Sequence, residues 1–234
     1  MIPKVIHYCW FGGNELPEYV ERCIQSWKEF CPDYQIKRWD ESNYNFEKYP
    51  FCREAYEKKK WAFVSDVARL DIVYSEDGIY LDTDVELVKS LDDLLIEHAF
   101  KGFERGRLVA TGLGFGGEKG NPVIKANLES YLTRQFTNED ETLDLTPCPV
   151  ITTDVLEMFG LKRVDQTQDL GDVNIFSSDY FCPMLLSDGT AETKKNTYSI
   201  HHYAGSWTTE AEKKASSEKN EYLYEMWKIW LESL

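Results

Sequence analysis

Asp82-Thr83-Asp84 is the pattern in this sequence with the clearest chemistry. Two carboxylates at i and i+2 of a strand share a face. Where a strand ends and the backbone bends into a loop, both can reach one hard cation and its ligand. Carboxylates this close destabilise each other unless a cation neutralises them. A bare Asp-x-Asp is more often a solvated acidic turn, and it is the context that changes the reading. Upstream, Asp66 and Arg69 stand three residues apart in a helically patterned stretch. They are helical neighbours and flank the apolar stripe, which predicts partial burial, where a charge needs a partner. The pair reads either as a helix salt bridge or as a hydrogen-bonding pair for ligand hydroxyls.

These residues need elements to hold them. Val5 to Trp10 predicts a strand that ends at the loop Phe11-Gly12-Gly13-Asn14. Pro17 opens a helix with Val20, Ile24 and Trp27 at helical spacing, and Tyr34 to Trp39 predicts a second strand. A β-α-β opening favours a parallel sheet. Glu41 to Pro50 reads as loop. Phe63, Val67, Leu70 and Tyr74 give the strongest helical stripe, over Ala62 to Tyr74. Strands are expected at Ile79–Leu81, Val85–Val88, Phe100–Phe103, Val109–Phe115 and Tyr198–Tyr203. Helices are expected at Pro122–Phe136, Thr152–Phe159 and Glu210–Leu234. The glycine-rich run from Gly112 to Gly117 lacks the Lys-Ser/Thr of a phosphate loop and reads as a flexible connection.

The block Ser65-Asp66-x-x-Arg69, followed by Gly78-Ile79-Tyr80-Leu81-Asp82-x-Asp84, resembles glycosyltransferase family 32. These Asp-x-Asp sugar transferases are related to yeast initiating mannosyltransferases and to the glucosylating domains of large clostridial toxins. The opening Ile2-Pro3-Lys4-x-Ile6-His7-x-x-Trp10 is similar to the family's first strand, and His201-His202-Tyr203-Ala204-Gly205-Ser206-Trp207 to its C-terminal motif. The resemblance implies an α/β GT-A fold, a mostly parallel central sheet flanked by helices. It implies a nucleotide-sugar donor, UDP-galactose or UDP-glucose ahead of GDP-mannose, and Mn²⁺ or Mg²⁺. By resemblance Asp84 is a direct metal ligand, Asp82 touches ribose or donor sugar and reaches the metal, and Asp66 and Arg69 hold donor hydroxyls. Trp10 would pack on the base, and Ser206 and Trp207 would bond the leaving diphosphate. His202 matches a late metal ligand, while His201 alternates to the opposite face of its strand. Asp154 reads as an acceptor contact or as a helix N-cap. The family retains anomeric configuration, and no carboxylate pair spaced for double displacement is readable, which favours front-face attack. The role implied is bacterial capsule or exopolysaccharide synthesis.

Composition narrows the alternatives. The chain has 234 residues and a formal net charge of -15, which disfavours nucleic acid and binding to anionic lipid by charge. One domain is expected over 1–234, with a nucleotide-sugar half at 1–110, an acceptor half with the late metal motif at 111–207, and a terminal helix at 208–234. The polar, aromatic start is no secretory signal. The six scattered cysteines form no Cys-x-x-Cys pair and read as buried thiols in a reducing cytoplasm. The terminal helix has an apolar face suited to docking on the domain, to a homodimer, or to weak contact with a membrane carrying a lipid-linked glycan acceptor. Two other readings compete. A haloacid-dehalogenase-type phosphatase would use the first Asp as nucleophile near its N-terminus, but here a long β-α-β-α segment precedes it. A glycan-binding module would not need the triplet, the Asp66/Arg69 pair and a late histidine together.

Overall fold

β1 (Val5–Cys9), α1 (Glu18–Phe30) and β2 (Gln35–Trp39) form the expected β-α-β opening, with β1 and β2 paired in parallel. The structure is a computed structural model that describes residues 1–185 and 190–204. After a loop come α2 (Pro50–Glu57), α3 (Trp61–Glu76), β3 (Gly78–Tyr80) and β4 (Val85–Leu87). β5 (Ala99–Phe103), β6 (Val109–Ala110), β7 (Phe115–Gly117), α4 (Pro122–Glu129) and α5 (Cys148–Glu157) follow. The remainder is β8 (Gln168–Asp169), β9 (Asn174–Phe176), α6 (Ser178–Phe181), β10 (Met184–Leu185), β11 (Ala191–Glu192) and β12 (Ser199–His201). Met1–His202 is one compact unit. Ser206, Trp207 and the helix expected over 210–234 lie outside the described residues.

The central sheet has eight strands, in the order β2-β1-β3-β7-β5-β9-β8 with β6 beside β5. β1, β2, β3, β5 and β9 point one way, and β6, β7 and β8 the other. The α/β class and the mostly parallel direction agree with the sequence. Because the parallel strands point together, their carboxyl ends gather at one edge, where open α/β sheets bind ligands. One face of the sheet packs on α2, α3, α4 and α5, through residues such as Val64, Val67, Phe51 and Ile124. The other packs on α1, through Val20, Ile24 and Trp27. β4 and β12 stand off the main sheet as a separate antiparallel ladder, with His201 opposite Val85.

Several elements differ from the sequence reading, three of them near the site. The strand expected over Val109–Phe115 is two short strands with a break at residues 111–114. The helix expected over Pro122–Phe136 stops at Glu129, where Ser130 Oγ donates to the Asn127 carbonyl at 2.7 Å and competes with the helical ladder. α2 carries no long stripe, so periodicity does not reveal it. It starts on Pro50 and buries Phe51, Cys52 and Ala55.

His7, in the middle of β1, ties this half of the sheet to α3. Trp39 Nε1 donates to His7 Nδ1 at 3.1 Å, and His7 Nε2 meets the Asp77 carbonyl at 2.9 Å. One nitrogen therefore accepts and the other donates, so the neutral imidazole is fully bonded and an added proton would set one N–H against another. Burial pushes its pKa from 6.5 down to about 4. A lowered folded-state pKa gives stability that is complete above about pH 6.5 and is lost as pH falls to about 4. His7→Gln should destabilise the chain by about 1–3 kcal/mol at pH 7.5, since glutamine cannot serve both partners. That deficit should shrink by about 3 kcal/mol towards pH 4 as the wild type loses its advantage. Denaturant melts of both proteins between pH 4 and 7.5 check this, and a deficit independent of pH would refute it.

Candidate active site

Arg69 organises the site. It lies in the second half of α3, a helix buried along most of its length, and is itself 3% exposed. Nη2 is 3.2 Å from Asp66 Oδ1 and 3.2 Å from Asp82 Oδ1. Nε donates to the Ser65 carbonyl at 3.0 Å and Nη1 to Thr111 Oγ1 at 3.4 Å. The guanidinium stacks over the Tyr80 ring, 5.2 Å from its centroid. Tyr80 in turn donates its hydroxyl to Asp82 Oδ1 at 3.0 Å. The expected partial burial of the Asp66/Arg69 pair is fuller than the sequence suggested, and the pair extends to Asp82. Burial pushes the Asp82 carboxyl up to about 7, opposed by Arg69 and reinforced by Asp84. Burial also raises Asp66, again opposed by Arg69.

Asp82 leaves the end of β3, and Asp82-Thr83-Asp84-Val85 forms a turn, closed by the Val85 N–H on the Asp82 carbonyl at 3.1 Å. The triplet is thus a turn between two strands rather than the last residues of one. The turn still brings the two carboxylates together. Asp82, Asp84 and His201 each offer a ligand atom within 4.8 Å of the others. Two carboxylates and an imidazole are a fitting donor set for Mn²⁺ or Mg²⁺, and one small octahedral ion can span these separations. Burial holds the His201 imidazole below the usual histidine range, in the neutral form that ligates metal.

The two late histidines lie differently from the sequence expectation, with His201 and not His202 beside the carboxylates. They do alternate in direction, but the antiparallel register sets His201 opposite Val85, next to Asp84, with Nε2 3.3 Å from Asp84 Oδ1. His202 Nε2 bonds Glu86 Oε2 at 2.8 Å on the more exposed side. Pairing register between distant strands is not written in local spacing. Asp154 is not an N-cap. Pro147 caps α5, the helix begins at Cys148, and Asp154 pairs with Arg163 at 2.7 Å while 58% exposed. Trp10 is half-buried and donates from Nε1 to the Asn14 carbonyl at 2.8 Å.

Several residues were not legible in advance. Thr111 touches Arg69, and Cys148 Sγ lies 3.9 Å from Arg69 Nη1; Cys148 is half-buried, while the other five cysteines are buried. Gly112 explains the broken strand. A Cβ there would collide with Asp82 Oδ2, so glycine lets this backbone pass the carboxylate. The glycine-rich run is therefore a close-packed stretch and not a flexible connection. Its signal, glycines just after a β-prone run, was in the sequence.

Comparison with known proteins fits this geometry. Residues 17–101 match the family described as glycosyltransferase sugar-binding region containing DXD motif. This region belongs to that family, and the resemblance read from the motifs holds. Inositol phosphoceramide mannosyltransferase 3 of Schizosaccharomyces pombe is 39% identical over 98 residues, 40% of this chain and 27% of its own length. The match thus spans about a quarter of that relative. An uncharacterized glycosyltransferase of Acanthamoeba polyphaga mimivirus is 25% identical over 88% of this chain and 84% of its own length. Among solved structures, the PaToxG glycosyltransferase superposes with a TM-score of 0.54 at 20% identity, over 67% of this chain and 69% of that one. The fold is that of the GT-A glycosyltransferases.

The geometry separates the two histidines experimentally. His201→Ala should weaken Mn²⁺ binding at least about tenfold, the loss of roughly 1.4 kcal/mol. His202→Ala should leave it within about twofold. Titration followed by the paramagnetic resonance of free Mn²⁺ decides between them, and equal effects would refute the assignment.

Proposed function

We propose that this chain is a metal-dependent, configuration-retaining glycosyltransferase that moves a hexose from a nucleoside diphosphate sugar to a glycan hydroxyl. The observation that carries this reading is the Asp82/Asp84/His201 cluster set against the buried Asp66/Arg69 pair. UDP-galactose, UDP-glucose and GDP-mannose are the candidate donors. A polysaccharide or a lipid-linked glycan is the acceptor class we favour, met at the cytoplasmic face of a membrane. Among the described residues, no helix is long and apolar enough to cross one.

Asp82, Asp84 and His201 would hold the divalent cation, which supplies Lewis-acid stabilisation of the leaving diphosphate. The protein's part is positioning and electrostatics. Arg69 and Tyr80 fix the Asp82 carboxylate from one side. Asp66, with Arg69 behind it, offers acceptor oxygens to the hydroxyls of the donor sugar. Both buried carboxylates are held by the same guanidinium, which suits orientation rather than nucleophilic attack. Front-face attack follows, with the acceptor hydroxyl losing its proton to the departing phosphate oxygen. Thr111 and Gly112 bring backbone close to this group and help exclude water from it.

The test is release of nucleoside diphosphate from a panel of sugar nucleotides with Mn²⁺. At least one donor should turn over, and a chelator should stop it. Asp84→Asn should abolish turnover with little change in thermal midpoint. Arg69→Lys should lower it by about a hundredfold or more, since an ammonium cannot reproduce the planar fork that holds two carboxylates. Full activity in folded Asp84→Asn, or no turnover across the panel, would overturn the reading.

A further inference from the structure

Glu104 follows β5 at the edge where the carboxyl ends of the parallel strands gather, and it is half-buried. Its carboxylate has no hydrogen bond or ion pair among the described residues, although Arg105 and Arg107 stand close by in sequence. We infer that Glu104 is the acceptor-side carboxylate of this site, taking hydrogen bonds from the hydroxyls of a neutral glycan. The inference rests on the transferase reading above and gives its acceptor a residue.

Side chains along β5 alternate between the two faces of the sheet. Phe103 packs on the α2–α5 face, where Lys101 lies 4.4 Å over the Phe115 ring. Phe100 packs on the opposite face, 5.7 Å from the Phe181 ring of α6, and a Cβ on Gly102 would collide with that same ring. The ladder continues as the Glu104 N–H donates to the Leu108 carbonyl at 2.8 Å, so Glu104 extends the row of Phe100 and Gly102. The β4–β12 ladder lies on this face too. Trp27 of α1 donates from Nε1 to the Val85 carbonyl at 2.7 Å. Tyr198, just ahead of β12, stacks on Phe181 at 5.9 Å and gives its N–H to the Tyr180 carbonyl at 2.8 Å. Phe181 therefore lies between β5 and the start of β12.

Both strands run from there to the same edge. The segment leaving the Asp82–Asp84 turn returns to the far end of the sheet, where the Leu95 carbonyl accepts the Ile2 N–H ahead of β1. β12 is antiparallel to β4, so it runs back to the turn and delivers His201 beside Asp84. β5 carries Glu104 two residues past Gly102, about 7 Å, and β12 carries His201 three residues past Tyr198, about 10 Å. The Asp82/Asp84/His201 cluster and the Glu104 carboxylate thus stand on the two sides of one aromatic ring, a separation on the scale of a sugar. Beside Glu104, Phe176 lies opposite Gly102 in the β9 register and stacks on Tyr180 at 4.7 Å, and both rings are half-buried. Aromatic surface next to a few polar groups is what a ligand with one apolar face requires.

The energetics point the same way. Burial alone pushes the Glu104 carboxyl up to about 7, with no neighbouring charge opposing or adding to the rise. A carboxylate held in such a place costs stability unless a donor reaches it. A sugar brings adjacent hydroxyls for the carboxylate and a C–H face for Phe176 and Tyr180, whereas an anionic ligand would meet repulsion. The acceptor proton leaves with the departing phosphate, as above, so Glu104 orients the acceptor and takes no part in bond making.

The test uses the whole chain with Mn²⁺, a donor that turns over, and the methyl glycosides of glucose, galactose and mannose as acceptors, with products read by mass spectrometry. At least one glycoside should accept the hexose. Glu104→Leu should raise its half-saturating concentration at least about tenfold, and Glu104→Gln, which keeps an accepting oxygen, about three- to fivefold. In both variants nucleoside diphosphate affinity should stay within about twofold, and the thermal midpoint should hold or rise because an unpaired carboxylate has been removed. An unchanged acceptor dependence in Glu104→Leu would overturn the inference and leave the transferase reading standing. So would weakened nucleoside diphosphate binding, a midpoint several degrees lower in Glu104→Gln, or a wild type that hydrolyses donor yet transfers to none of the glycosides. Absence of both donor turnover and nucleoside diphosphate binding would overturn the two readings together.

Discussion

A guanidinium buried in the middle of α3 is the constraint from which the site follows. A charge 3% exposed is tolerable only if paired and hydrogen-bonded on every side. Arg69 meets that demand by drawing in Asp66 from its own helix, Asp82 from the end of β3, and Thr111 from the break between β6 and β7. Three segments far apart in sequence are thereby fixed to within hydrogen-bond distance of one group. Removing the fork would leave two buried carboxylates facing each other. The pair that reads locally as a helix salt bridge is in fact the joint between helix, strand and loop.

The fold supplies what a single helix and strand cannot. Parallel β1 and β3 deliver their ends to one edge, and the turn after β3 folds Asp84 back towards Asp82. The β4–β12 ladder, outside the main sheet, then carries His201 to the same place from more than a hundred residues downstream. Gly112 allows the backbone to close against Asp82 where any side chain would collide. Each of these devices is structural in isolation. Together they place one imidazole, three carboxylates and one guanidinium at the mouth of a sheet.

Much of this was legible because it is local. The strand Ile79-Tyr80-Leu81, the α3 stripe and the i, i+3 placement of Asp66 and Arg69 depend on spacing within one element. The order of the motif blocks gave the fold. What was not legible is register and close approach. Choosing His201 over His202 requires knowing that His201 pairs with Val85, and nothing near either residue states it. The roles of Thr111 and Cys148 arise from side-chain reach across the sheet edge. The N-cap reading of Asp154 fails because α5, with proline at 147 and 149, starts at Cys148, about one turn earlier than its apolar pattern suggests.

The charge balance of the site bears on how an acidic chain would serve the anionic donor proposed for it. Asp66, Asp82 and Asp84 face a single Arg69, so the cluster carries an excess of negative charge in a place that water reaches poorly. Burial raises the Asp82 carboxyl to about 7 against the pull of Arg69, and the neighbouring Asp84 and Asp66 carboxylates add to the rise. A site with this balance repels a diphosphate and attracts a divalent cation. In the proposed reaction cation and donor would therefore be linked energetically, because each neutralises charge that the other needs neutralised. The chain's net charge of -15 then sharpens selectivity, since polyanions that bring no cation to this cluster meet only repulsion.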